Sequence, residues 1–466
     1  MGLARDSETR RLLVITYHFP PDGAVGGQRW AGLSKYLARL GWEVHVITAS
    51  AGGPQHATPG VHRHFCPRRR TLNEVYKAVS GRFRQASNGD REIAPKNPDP
   101  PRPVSLLRPI AAARRILRSS IDFPDVGRGW VVRAAAAARS LLRERRFDVV
   151  ITSGPPHSAH FAGLLATLGQ DALFWIDMRD PWSVIYDRRA PDVWIVRAER
   201  FLLRQLERLV FQRASKVIAN TREFASALRV AEPALDVVWF PNGVDLEAVP
   251  PRDLSAVEQG SIAYIGTLYA YRGLSSVCDA MRRLLNDRPE AAATLRLNVA
   301  GAAESPQQLR DDIAAAGLTS VVTIHGMLPH AKALELLNRS HLALVLAQDL
   351  PMAVPAKLFE SVGLGIPTLV IAEDTSTAAR EARRIGAMTL DGRDVQGLRT
   401  LFEDLVAGRI PTTIAANAPV SYEELAIRMD RLLRDAVERR QGDAIRDAFD
   451  SASSNERRAS SLRGEA

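Results

Sequence analysis

Two hydrophobic periods alternate along most of this 466-residue chain. Short apolar runs of strand length come first: RLLVITYH (11–18), WEVHVIT (42–48), FDVVITSG (147–154), ALFWIDM (172–178) and SKVIAN (215–220). Runs of this kind, bounded by turn residues, read as strands buried on both faces. Helical patterns lie between them. Trp30, Leu33, Leu37 and Leu40 form one apolar stripe at helical spacing, and Gly41 ends it as a C-terminal cap. HFAGLLATLG (160–169) and about 193–213 are two more helices, and VVWFPNGVD (237–245) closes the first series. A second series begins near Ser261, with strands SIAYIG, TLRLNVAG, VVTIHG, LALVLA and TLVIA. Helices at about 274–287, 305–316 and 330–339, and a short one in VPAKLFESVGLGIP (354–367), separate them. Strands that alternate with helices build parallel sheets. The expectation is an α/β chain of two doubly wound domains, 1–246 and 247–420. A last helix at 421–440 returns to the first domain, and a Ser-, Arg- and acid-rich tail, 441–466, is expected to be disordered.

Composition changes this picture in one place. Residues 50–104 are rich in Pro, Gly and Arg with little periodicity, so about 50–128 reads as an irregular basic insertion. Residues 62–146 hold 20 Lys and Arg against 7 Asp and Glu, an excess larger than the whole-chain net charge of +10. Two basic helical stretches, 106–121 and 130–146, mix apolar residues with arginines; packing on a sheet is the favoured reading over an interfacial helix. A local basic patch suits an anionic partner, either a membrane surface or nucleic acid. The basic segment lacks interleaved aromatics and no nucleic-acid motif is present, so nucleic acid is not expected. With only Cys66 and Cys278, a disulfide framework and an all-cysteine metal site are excluded. No apolar run reaches membrane-spanning length, and MGLARDSETRR lacks a signal region, so a cytoplasmic location is expected.

Candidate chemistry gathers at strand ends, where α/β enzymes keep it. SGPPHSAH and DMRDPW deliver His157, Asp177, Arg179 and Asp180 to one edge of the first sheet. Gly26 and Gly27 stand where a backbone could approach a phosphate at a helix start. In the second half, Lys357 and Glu360 sit three apart on one helix face. A cation beside a helix N-terminus suits an anion, and a carboxylate suits hydroxyls, a pairing that phosphate plus ribose would satisfy. A surface ion pair is the competing reading.

Taken in order, these segments resemble glycosyltransferase family 4, whose fold is GT-B: two Rossmann-like domains facing a central crevice. FPPDGAVGGQRW resembles the family's glycine loop, FPNGVD (240–245) its Asn-Gly-Val-Asp segment, and YIGTLYAYRG its Gly-Arg-Leu…Lys-Gly loop. VPAKLFESVGLGIP is similar to its Glu-x7-Glu region, and SGPPHSAH and DMRDPW look like a bacterial subgroup. The resemblance implies a retaining transferase that takes a sugar from a nucleotide-diphosphate donor without a catalytic metal or other cofactor. It places Gly26, Gly27, Asn242, Thr267, Arg272, Lys357, Leu358 and Glu360 at the donor. Among Asp177, His157, Arg179 and Asp180 it implies the group nearest the reacting sugar. The chain departs from the pattern at Met352, where the family has the first Glu, and at Thr267, where it has Arg. The implied setting is cell-surface polysaccharide or lipopolysaccharide assembly. The implied acceptor is a glycan or a lipid-linked one; the basic charge of segment 62–146 matches an acceptor of the second kind at an anionic inner leaflet. The alternative within the same fold is a nucleotide-sugar 2-epimerase.

Overall fold

The computed structural model describes residues 9–22, 25–52, 57–68, 125, 127–183, 194–248, 251–269, 273–350, 352–417 and 421–463. The first domain runs β1 (Arg11–Thr16), α1 (Val25–Arg39), β2 (Glu43–Thr48), β3 (Val61–Phe65), α2 (Val131–Glu144), β4 (Val149–Gly154), α3 (Ala159–Thr167), β5 (Leu173–Met178), α4 (Trp194–Phe211), β6 (Lys216–Ala219), α5 (Arg222–Ala231) and β7 (Val237–Trp239). The second continues with β8 (Glu258–Ile265), α6 (Ser275–Asp287), β9 (Arg296–Ala300), α7 (Pro306–Ala315), β10 (Val322–Gly326), α8 (His330–Arg339), β11 (Ser340–Leu346), α9 (Ala356–Gly363), β12 (Thr368–Ile371), α10 (Thr377–Ile385), β13 (Met388–Leu390) and α11 (Val395–Val406).

The strand order is β3-β2-β1-β4-β5-β6-β7 in one sheet and β10-β9-β8-β11-β12-β13 in the other, with every ladder parallel. Burial explains the unbroken apolar runs: Leu12, Leu13, Val14 and Ile15 alternate between two sheet faces, and all are closed to solvent. Their even and odd positions feed different cores, Leu12 and Val14 meeting α1, Leu13 and Ile15 meeting α2 and α3. The order in which the chain adds strands reverses at the centre of each sheet, between β1 and β4 and between β8 and β11. Ligands of doubly wound sheets bind outside the carboxyl ends at such points.

A long helix, α12 (Tyr422–Arg463), crosses back to the first domain. Its Tyr422, Leu425, Met429, Leu433 and Val437 repeat every three or four residues and bury against Trp30, Leu33 and Leu37 of α1. Two expectations need correction. The helix continues through Arg463, where the composition suggested disorder. The basic insertion is not wholly irregular, because VHRHF pairs with β2 as the edge strand β3. Gly26 and Gly27, expected at a helix start, lie in the first turn of α1. In the basic segment, α2 buries Ala134, Ala135, Ala138 and Leu142 against the sheet, so its apolar stripe is already used; the stretch 106–121 lies outside the described residues.

Candidate functional site

Between the domains lies a cavity of about 660 Å³. The second domain supplies Gly266 and Thr267 after β8, Met327 and Leu328 after β10, and Pro355, Lys357, Glu360 and Ser361 around the start of α9. The first domain supplies Asp22 and Gln28, before and within the first turns of α1. Two helices therefore begin at this crevice. The first amides of each have no intrahelical acceptor, and the partial positive charge of the helix start is aimed where an anion would sit.

Helical periodicity divides the α9 motif. Lys357 and Glu360 share the face that lines the cavity, and Leu358 and Phe359 turn inward. Leu358 is fully buried in the core of the second domain, so its side chain is not a donor contact. The Lys357 amine donates to the carbonyl of Ile265 at the end of β8. It lies so near Gly266 that a Cβ there would stand 3.0 Å from Nζ. Burial pulls this amine below its ordinary pKa, and the Glu360 carboxylate pulls it back. Thr267 is exposed at the cavity wall. Arg272 lies outside the described residues.

In the first domain, Asp177 is sealed away from the crevice. Its carboxylate accepts from Arg29 Nε (3.1 Å) and a terminal Arg29 nitrogen (3.0 Å), from Trp30 Nε1 (2.7 Å) and from Ser153 Oγ (2.9 Å). With four donors and no solvent, it is a tie between β5, β4 and α1 rather than a group free to act on a sugar. Arg29 also donates to the carbonyls of Phe240 and Pro241 and to the Asn242 side chain, so Asn242 is held by this same clasp.

Arg179, two residues further, is the cation this edge presents. It lies against Gly26: a Cβ there would be 2.0 Å from its guanidinium. It donates to the Pro155 carbonyl, and its buried Nε has no protein partner. Burial lowers its pKa, opposed by Asp180 and Asp177. Asp180 is solvent-exposed, yet the protein mass around it raises its carboxyl against the pull of Arg179. His157 is buried and stacked on Trp182, ring centres 5.1 Å apart. Its Nδ1 is 3.4 Å from His160 Nε2, and His160 Nδ1 meets Thr152 Oγ1 at 2.9 Å. Desolvation lowers both histidines, His160 to about 3, so both are neutral at physiological pH.

Met352 joins the domains instead of carrying a carboxylate. Its side chain packs on the apolar cluster containing Trp182 and Phe161, and its carbonyl accepts from Thr221 Oγ1 at 2.9 Å. The sequence did not single out Tyr422. Its buried phenol feels Arg29, Glu360 and Arg179 together, which sets groups of both domains around one residue of the returning helix. Among the described residues, Glu43, His45 and His62 approach closely enough to share a metal ion. Glu43 is already bound by Arg11 (2.7 Å) and Arg145 (2.9 Å), and it opens β2 at the amino edge of the sheet, opposite the crevice.

Residues 26–243 match the family profile described as a glycosyl transferase 4-like domain, and residues 250–442 match that of glycosyl transferases group 1. A comparison with curated proteins gives no match. Among solved structures, the chain is similar to a sucrose-phosphate synthase from Thermosynechococcus elongatus, with a TM-score of 0.61 at 14% identity over 91% of this chain and 98% of that one. It is also similar to a UDP-forming α,α-trehalose-phosphate synthase from Burkholderia xenovorans (TM-score 0.55, 14% identity, 94% and 99% covered). A putative UDP-N-acetylglucosamine 2-epimerase from Listeria monocytogenes gives 0.54 at 15% identity, with 92% and 97% covered. At such identities these likenesses speak for the fold. Together with the two profiles, which span residues 26–442 almost without a break, they show that this chain is an enzyme of the family-4-like glycosyltransferases with the GT-B fold.

Proposed function

We propose that the enzyme transfers a sugar, with retention of anomeric configuration, from a nucleotide-diphosphate donor to a glycan or lipid-linked acceptor, in the assembly of cell-surface polysaccharide or lipopolysaccharide. The observation that carries this reading is the pair Lys357 and Glu360 on one face of α9, lining a cavity that α1 of the other domain also enters. Glu360 accepts from ribose hydroxyls. The Lys357 ammonium, released from the Ile265 carbonyl, neutralises the diphosphate. The leaving group gains negative charge as the glycosidic bond breaks, so fixed cations and amides at that point lower the barrier. Arg179 and the first turn of α1 add charge from the other side, with Gly26 allowing the close approach. A dry crevice favours transfer over hydrolysis. No metal or other cofactor has a role in this reading, because the charge is met by side chains and helix starts.

The test is a thermal-shift screen of nucleotide sugars in chelator, since a ligand that binds only the folded protein raises its melting temperature. The hit is then incubated alone and with acceptor lipid extracts. Transfer that needs acceptor and keeps the donor's anomeric configuration supports the proposal. An epimerised sugar formed from donor alone sinks it in favour of the 2-epimerase, and an inverted product removes the claim of retention.

A further inference from the structure

Helix α4 is apolar on two sides. Leu203, Val210 and Phe211 face the sheet and are buried, as a surface helix requires. On the opposite side Trp194 is 78% exposed, Phe201 65%, Leu202 48% and Leu209 49%. A helix packed on a sheet normally ends its apolar stripe at the core and turns polar residues outward. A large exposed apolar patch rimmed by polar groups marks a surface that something else covers.

The rim identifies the occupant. Arg197, Arg204 and Arg208 run along one edge of this stripe, and Arg213 lies beyond its end, all exposed. The helix's two acids are not part of that face: Glu207 is buried and accepts from Ser183 Oγ, and Glu199 is half-buried. The outward face carries aromatic and aliphatic side chains with the exposed Gln205 among them, and its edge is rich in arginine, of which Arg208 pairs with Glu232 at 3.1 Å. That arrangement is the one that lies in the interfacial plane of an anionic bilayer, with rings among the acyl chains and guanidinium groups at the phosphates. Position also favours a membrane. In a parallel α/β unit the helix runs antiparallel to its strands, so Trp194 stands at the carboxyl edge of the sheet, the edge that carries Arg179 and the crevice. A bilayer against α4 would thus lie beside the acceptor side of the site.

We infer that α4, through Trp194, Phe201 and Leu209 with Arg197, Arg204 and Arg208 along one edge, is the surface that docks this enzyme onto an anionic membrane. Within the basic segment 62–146, the α2 helix spends its buried apolar stripe on the core. The inference gives a place to the lipid-linked acceptor proposed above and rests on that reading only for its purpose, because docking is measured without turnover.

The full-length protein is sedimented with phosphatidylcholine vesicles and with vesicles containing phosphatidylglycerol at moderate salt. The wild type partitions to the anionic vesicles and not to the neutral ones. The double variant Trp194→Ser, Phe201→Ser, which alters only exposed side chains, loses about tenfold or more of that partitioning. Arg204→Gln loses about fivefold and weakens the salt dependence. Nucleotide binding by calorimetry stays at the wild-type level in both, which shows that the fold and the donor site are intact. Equal sedimentation with neutral and anionic vesicles, or undiminished binding by the double variant, overturns the inference. So does a wild type that is dimeric in light scattering, becomes monomeric in the double variant and never binds vesicles, since the face would then join two copies of the chain.

Discussion

Arg29 on α1 and Asp177 at the end of β5 are 148 residues apart in sequence and form a two-pronged ion pair at 3.0 and 3.1 Å, with 1% and 0% of the side chains exposed. Breaking one side of a buried pair strands the other charge, a loss of about 3–5 kcal/mol. Asp177→Asn should therefore lower the urea midpoint strongly, and any loss of transfer activity should follow the loss of folded protein. If the variant is as stable as the wild type yet inactive, Asp177 acts at the reacting sugar and the structural assignment is wrong.

Two neighbouring glycines separate site from scaffold. A Cβ on Gly26 would collide with the end of the Arg179 side chain, which is able to move. A Cβ on Gly27 would stand 2.9 Å from the Phe19 backbone, which is not. Gly26→Ala should keep its melting temperature within a few degrees and lose about tenfold or more in kcat/KM as Arg179 is displaced. Gly27→Ala should lose about 1–3 kcal/mol of stability by overpacking. Kinetics and thermal denaturation on both variants test the contrast, and a reversed pattern would overturn it.

The neutral histidine pair makes stability depend on pH. His160 has its folded pKa pulled by burial to about 3, below the unfolded value of about 6.5. The unfolded chain binds the proton first, so this cost is absent above about pH 7 and grows as pH falls from 6.5 toward 3. At pH 5.5 it amounts to roughly 1 kcal/mol for His160. Urea unfolding at pH 7.5 and 5.5 should show a smaller drop for His160→Gln than for the wild type. Equal drops would mean that His160 is protonated in the folded protein.

The alternating strands and helices of both domains were legible because each strand is buried on two faces and reads as an unbroken apolar run. Edge strand β3 was not, since VHRHF is interrupted by His62, Arg63 and His64 and carries no such run. Helix α10 escaped notice because its buried side, Ala378, Ala379, Ala382 and Ile385, holds one large apolar residue among small ones. Spacing set Lys357 and Glu360 on one helix face, which lines the cavity, and the same spacing places Leu358 on the other face. Asp177 was misplaced for a different reason. A carboxylate at a strand end looks the same in sequence whether it faces a crevice or an arginine, and only the fold brings Arg29 to it.

The central claim is that Lys357 and Glu360 hold the donor nucleotide. Calorimetric titration of the wild type, Lys357→Ala and Glu360→Ala with uridine and guanosine diphosphate, in chelator, tests it most directly. Charge-assisted hydrogen bonds of this kind contribute about 1.5–3 kcal/mol. Each variant should thus bind one of the two nucleotides about tenfold or more weaker than wild type, while Lys332→Ala, on an exposed lysine paired with Glu335, should not change it. If both site variants bind the nucleotide as tightly as the wild type, the donor does not lie at α9 and the account of this site is wrong.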